Sequence, residues 1–188
     1  MSAAPEAEAA KPRPANALKT LARLWPAALL IPFRALSKGR RALYFRHPLA
    51  TLSGETRIGR FAEIGAHVYI NAGQDGVDIG AYSQVNALTA VVGNVRIGDR
   101  VLIAPGCSIV AGGHRFGKGV QPRFSGGGGE KLIVVEDDVW IGAGVTMVGQ
   151  VTIGRGSVIA AGVTVDRDVP PETLVRRGAS TLVFEPLR

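Results

Sequence analysis

Aliphatic residues recur at every sixth position along most of this chain. Near the C-terminal end the series is Val135, Ile141, Met147, Ile153, Ile159 and Val165. Four residues after each of the first five stands a small or β-branched residue: Val139, Val145, Val151, Ser157 and Val163. A period of six matches neither a lone helix at 3.6 nor a lone strand at 2. It matches a chain that turns a corner every six residues and stacks on itself, which predicts an all-β parallel β-helix.

The same period begins earlier, at Leu52, Ile58, Ile64 and Ile70, with Thr56, Ala62 and Val68 at the small positions. It slips by three residues in AGQDGVD (72–78), where a small corner loop is expected. It resumes at Ile79, Val85, Val91, Ile97, Ile103 and Ile109, with Ser83, Thr89, Val95, Val101 and Cys107 between them. Cys107 therefore reads as a core filler. The repeat stops after Ile109 and returns at Val135, so residues 110–134 form a long Gly-rich excursion. Loops of this length on a regular scaffold are often functional. Pro170–Pro171 is expected to end the coil, with the tail folding back as a strand or helix.

The N-terminal part has a different pattern. Residues 1–16 are rich in Ala and Pro, which predicts disorder. Beyond them Leu18, Leu21 and Trp25 keep helical spacing, and Pro26 and Pro32 interrupt it. Two short helices are predicted, the second over Phe33 to Phe45. No apolar run reaches the roughly 20 residues of a membrane span, and a secretory signal fits poorly.

Charge sharpens the division. Nine Lys or Arg and no acid lie between Ala9 and Gly54, whereas 13 basic and 13 acidic residues cancel from Glu55 onward. The net charge of +7 belongs to the N-terminal arm, so it makes no case for nucleic-acid binding by the main domain. Basic residues among apolar ones over 17–46 suit a helical cap on the coil with its charges solvated, and are compatible with an anionic membrane surface. The expected location is cytoplasmic with peripheral contact at the inner membrane. Composition adds an aliphatic core (46% hydrophobic, 6% aromatic) and 25 glycines for the corners. The lone Cys107 excludes an intrachain disulfide.

A closed aliphatic interior leaves chemistry to the outside. Of three histidines, His47 precedes Pro48 in the basic arm and His67 faces outward in a coil; both read as incidental. His114 stands at the root of the excursion among Gly112, Gly113 and Gly117, where a substrate can approach closely. An accessible histidine can take a proton from a hydroxyl or an amine. No H-x-x-x-H and no paired cysteine is present, so no metal is expected. The GGGGEK run lacks the Gly-Lys-Ser/Thr of a phosphate loop.

Two segments carry a family resemblance: VRIGDRVLIAPGCSIVAGGHRF (95–116) and VVEDDVWIGAGVTMVGQVTIGRGSVIAAGVTVDRDVPP (134–171). They resemble the hexapeptide-repeat acyltransferases, whose fold is a left-handed parallel β-helix. Within these the chain is most similar to the maltose and galactoside O-acetyltransferase and xenobiotic acetyltransferase branch, over Thr51 to Pro171. The resemblance implies acetyl-coenzyme A as donor, a saccharide acceptor, and a homotrimer with coenzyme between neighbouring coils. It implies His114 as general base, Asn86 as an acceptor contact and Trp140 as the flank of the cofactor groove. Gly142, Ala143, Ala160 and Ala161 would line the pantetheine, with backbone N–H groups around Gly142 or Ala143 meeting the developing oxyanion. Arg167, Arg176 and Arg177 would meet the far end of the coenzyme, although Asp166 departs from the family's Thr.

The first 50 residues do not match the family's sugar-reading helices, so the acceptor stays open. The readings are a hydroxyl of a polysaccharide or glycan precursor, an amine of an amino sugar or small xenobiotic, and a non-catalytic scaffold. A carbonic anhydrase-like metal enzyme would need a third histidine beside His67 and His114. The expected organisation is a tail over 1–16, a basic amphipathic helical arm over 17–50, the β-helix over 51–171 with its active-site loop at 110–134, and a tail over 172–188.

Overall fold

The computed structural model describes residues 43–126, 131–178 and 182–186. They form a parallel β-helix with three faces. The first face stacks Phe45–Arg46, Glu63–Ile64, Gln84–Val85, Leu102–Ile103, Trp140–Ile141, Val158–Ile159 and Thr173–Arg177, all parallel. The second stacks Thr51–Ser53, the first halves of Tyr69–Ile79 and Ala90–Ile97, then Ser108–Ala111, Thr146–Val148 and Thr164–Val165. The third stacks Thr56–Ile58, the second halves of the same two long strands, Leu132–Val135 and Val151–Ile153, closed by a bridge from Ile153 to Val169.

The six-residue period is the cause. Each side of the coil has room for one large inward side chain and one small one near the corner. The large positions from Ile58 to Val165 are buried, and so are the small ones from Ala62 to Val163, Ser83, Thr89 and Ser157 included. Cys107 is 1% exposed; its Sγ donates to the carbonyls of Ala104 (3.1 Å) and Gly142 (3.3 Å), and burial pushes its thiol pKa up. It is a core filler, as expected.

The corners differ in how they finish their turns. At the third-to-first corner the left-handed position is held by Phe61, Tyr82, Arg100, Asp138 and Glu172, with φ between 53° and 62°, and by Gly156 with φ 68°. At the first-to-second corner it is held by His67 and Leu88, then by Gly106, Gly144 and Gly162 in the later coils. Polar caps differ too. The Ala81 N–H donates to Asp99 Oδ1 (2.7 Å) and the Asp99 N–H to Asp137 Oδ1 (2.9 Å), so carboxylates step from coil to coil along the third-to-first corner.

Several boundaries move relative to the sequence reading. The coil starts at Phe45, not Thr51, because the sheet ladder claims that segment: Phe45 N–H donates to Ala62 O (2.9 Å) and His47 N–H to Ile64 O (2.8 Å). The predicted helix therefore does not reach Phe45, and the rest of the arm lies outside the described residues. The slip at 72–78 is present, since the six residues from Ala72 to Val77 lie opposite the three from Gly93 to Val95. The excursion is shorter than expected, because Ala111 and Ile133 are both buried in ladder positions. Pro170–Pro171 does not end the coil. It forms one more corner, after which Thr173–Arg177 adds a strand that buries Val175. Leu182–Pro186 then pairs antiparallel with it and closes that edge of the sheet. Among the described residues no helix is long and apolar enough to cross a membrane.

Candidate active site

His114 is exposed three residues beyond Ala111, where the second face ends. The chain leaves the coil there, runs through a short 3-10 turn at Pro122–Phe124, and returns at Leu132. Gly112 and Gly113 precede the histidine, and a side chain added at either would meet nothing within 4 Å. The approach to the imidazole is thus open. The other two histidines are explained locally. His47 Nδ1 accepts the Leu49 N–H (3.2 Å), and His67 occupies a left-handed corner position with φ 56°.

The groove residues lie at the other edge of the second face. Trp140 projects from the first face, 52% exposed, in register between Leu102 and Val158. Ala143 and Ala161 follow at the first-to-second corner and are exposed. At the equivalent place one corner away, Asp99 caps the Ala81 N–H. Here Ala161 stands where that carboxylate would be, so the Ala143 N–H has no acceptor among the described residues. The Ala161 N–H has none either. Beside them a side chain added at Gly106, Gly144 or Gly162 would meet nothing within 4 Å. The corner is thin and open along three coils and uncapped at Ala143 and Ala161, the shape that lets an amide-bearing chain lie against backbone. Arg177 is one coil further along the same column, because Ile159 pairs with Val175.

Other expected residues are placed differently. Gly142 is buried, and a Cβ there would overlap the backbone of Ala160 and Ala161. Its N–H is already bound to Ile159 O (2.8 Å), which leaves Ala143, not Gly142, as the open donor. Ala160 packs against the core and its N–H is bound to Val175 O (2.8 Å). Asn86 sits at the same first-to-second corner, with its amide given to Ile103 O (2.8 Å). Arg167 lies at the far edge of the second face beside Asp166 (3.0 Å), and Arg176 is engaged by Glu185 (2.5 Å). Within one chain, then, His114 and Arg167 occupy one edge of the second face, and Asn86, Trp140, Ala143, Ala161 and Arg177 the other.

A family model for the bacterial transferase hexapeptide, six repeats, matches residues 133–167. A solved hexapeptide-repeat-containing acetyltransferase from Vibrio cholerae is 32% identical, covering 66% of this chain and 73% of that one, with a TM-score of 0.54. The chain belongs to the hexapeptide-repeat acyltransferases. Among curated relatives, the galactoside O-acetyltransferase of Lactococcus lactis is 30% identical over 131 residues, 65% of this chain and 62% of its own length. The chain spans less than two thirds of the length of this and other curated relatives it matches. A perosamine N-acetyltransferase from Caulobacter crescentus, 22% identical with a TM-score of 0.57, shares the fold over 88% of this chain and 64% of its own.

The sequence reading missed the character of the excursion in this family member. Phe116 and Phe124 are exposed at 88% and 79%, and Arg115, Lys118 and Arg123 are exposed beside them. The signal was available: no Asp or Glu occurs from residue 100 to residue 129.

Proposed function

We propose that this protein transfers the acetyl group of acetyl-coenzyme A to a saccharide hydroxyl, with His114 as general base and no metal. The observation that carries the reading is an exposed histidine at the root of the 20-residue departure from the coil, in a family of acyltransferases. The pantetheine lies along the uncapped corner, with Trp140 at its side, the Ala161 N–H on its amide and Arg177 toward its phosphates. The solved Caulobacter relative, in complex with CoA and GDP-perosamine, supports a coenzyme A donor and a sugar acceptor. His114 takes the hydroxyl proton as the oxygen attacks the thioester carbon. The Ala143 N–H stabilises the oxyanion. The carbon–sulfur bond then breaks and the histidine returns its proton to the departing sulfur.

One chain cannot complete this site. The two edges of the second face are six residues apart, roughly 20 Å at strand rise. The assembly proposed is a homotrimer in which the histidine edge of one copy meets the open corner of the next. His114→Ala should lower kcat by about 100-fold to 10,000-fold, with coenzyme A affinity and assembly unchanged. Turnover near that of the unaltered chain would remove His114 from its role. The same parts serve an amine acceptor, as the name of the Caulobacter relative indicates, and parallel assays on hydroxyl and amino sugars separate the two.

A further inference from the structure

The excursion that carries His114 has a composition unlike the rest of the β-helix. Its exposed cations, Arg115, Lys118 and Arg123, form no ion pair among the described residues. Five arginines of the coil, Arg57, Arg100, Arg155, Arg167 and Arg176, each sit against a carboxylate, whereas Arg46, Arg60, Arg96 and Arg177 form no ion pair among the described residues. The Arg123 guanidinium instead lies 5.9 Å from the centre of the Phe124 ring. Phe116 and Phe124 are also the most exposed large apolar residues described. Leaving two phenylalanine rings in water costs solubility without stabilising the fold. Three cations on one short loop repel each other as well.

Resting on the transferase reading, we infer that the acceptor is a saccharide carrying a diphosphate, and that this loop recognises it. Arg115, Lys118 and Arg123 bind the phosphate oxygens, where charge-assisted hydrogen bonds are strong and planar guanidinium groups fit them well. Phe116 and Phe124 hold the group on the far side of the diphosphate. That group is aromatic in a nucleoside diphosphate sugar and aliphatic in an isoprenoid-linked one; both suit a phenylalanine face. An acidic sugar ring fits less well, since it offers one carboxylate and nothing for the rings. The proposed site assigns the coenzyme's own phosphates to Arg177, and coenzyme A affinity of the loop variants separates the two roles.

The test uses the full chain and acetyl-coenzyme A. Acetyl transfer is measured on free hexoses, on the matching nucleoside diphosphate hexoses, and on the same hexoses linked through a diphosphate to a short isoprenoid. One diphosphate class should exceed the free sugars by about tenfold or more in kcat/KM, mainly through KM, with the gap narrowing as salt screens the charges. The class preferred tells nucleotide from lipid. Changing Arg115, Lys118 and Arg123 together to Gln should close the gap while coenzyme A binding and the thermal midpoint stay as they were. Equal use of free and diphosphate sugars overturns the inference and leaves the transferase reading standing. So does a triple variant that weakens coenzyme A binding instead of the acceptor KM. No transfer to any acceptor by the unaltered chain, with coenzyme A still bound, overturns both.

Discussion

Single glycines show how tightly the coils stack and where they do not. Gly93 has φ 92°, and a Cβ there would overlap the carbonyl oxygen of Ala111 in the next coil. That oxygen belongs to the backbone, so it cannot swing aside. Gly144 has φ 66°, yet a Cβ there would meet nothing within 4 Å. Leu88 and His67 hold the equivalent corner position in earlier coils with φ 63° and 56°. The two substitutions should therefore separate cleanly. Gly93→Ala should cost about 3–5 kcal/mol from strain and backbone displacement together. Gly144→Ala should cost about 1 kcal/mol from the left-handed conformation alone. Chemical denaturation of both variants checks this; similar midpoints would show that coil stacking yields more readily than the geometry implies.

Each coil is held to the next by its corners as well as by its ladders, and this matters most across the excursion. Arg100 Nε and Nη2 donate to Asp138 Oδ1 (2.6 Å) and Oδ2 (2.8 Å), joining coils whose residues are 38 apart in sequence. The hydrogen bond from Arg100 holds the Asp138 carboxyl below its ordinary pKa against the opposing effect of burial, with the nearby charges of Arg100 and Arg155 adding to it. A carboxylate depressed in the folded state stabilises at pH above its unfolded value, about 3.9. That contribution fades as pH falls through the lower folded value. The thermal midpoint should thus decline as pH drops below about 4. Asp138→Asn should flatten this decline, since Asn tolerates the left-handed φ of 62° at this site. Because the pair is partly solvated, the loss at neutral pH should be small. Thermal melts of both proteins from neutral to acid pH decide it, and parallel curves would assign the acid sensitivity elsewhere. The stacking itself was legible in the sequence, because a buried six-residue period leaves few alternatives. The ends were not. Phe45 and Val175 belong to strands that carry too little of the repeat to show it, and the prolines at 170 and 171 mark a corner as readily as a stop.

In the proposed site the reaction is divided between two edges of one face, so the proposed active unit is larger than the chain. His114 was visible in the sequence from its place in the loop; the open corner was visible only as a run of small residues. What distinguishes it is an absent partner: Asp99 caps the Ala81 N–H, and Ala161 cannot do the same for Ala143. Ala161→Asp should supply that cap, since residues 143 and 161 are stacked as 81 and 99 are. The carboxylate would occupy the donor at Ala143 and place a negative charge in the pantetheine path. The expected result is a fold as stable as before with coenzyme A binding reduced beyond detection by calorimetry. Retained affinity would move the donor site off this corner. The same variant tests the division of labour. Ala161→Asp keeps its histidine edge and His114→Ala keeps its open corner, so each alone is inactive. If sites form between copies, co-refolding equal amounts should restore about a quarter of normal activity, because one junction in four then joins two intact edges. If both edges of a site came from one chain, mixing would restore none.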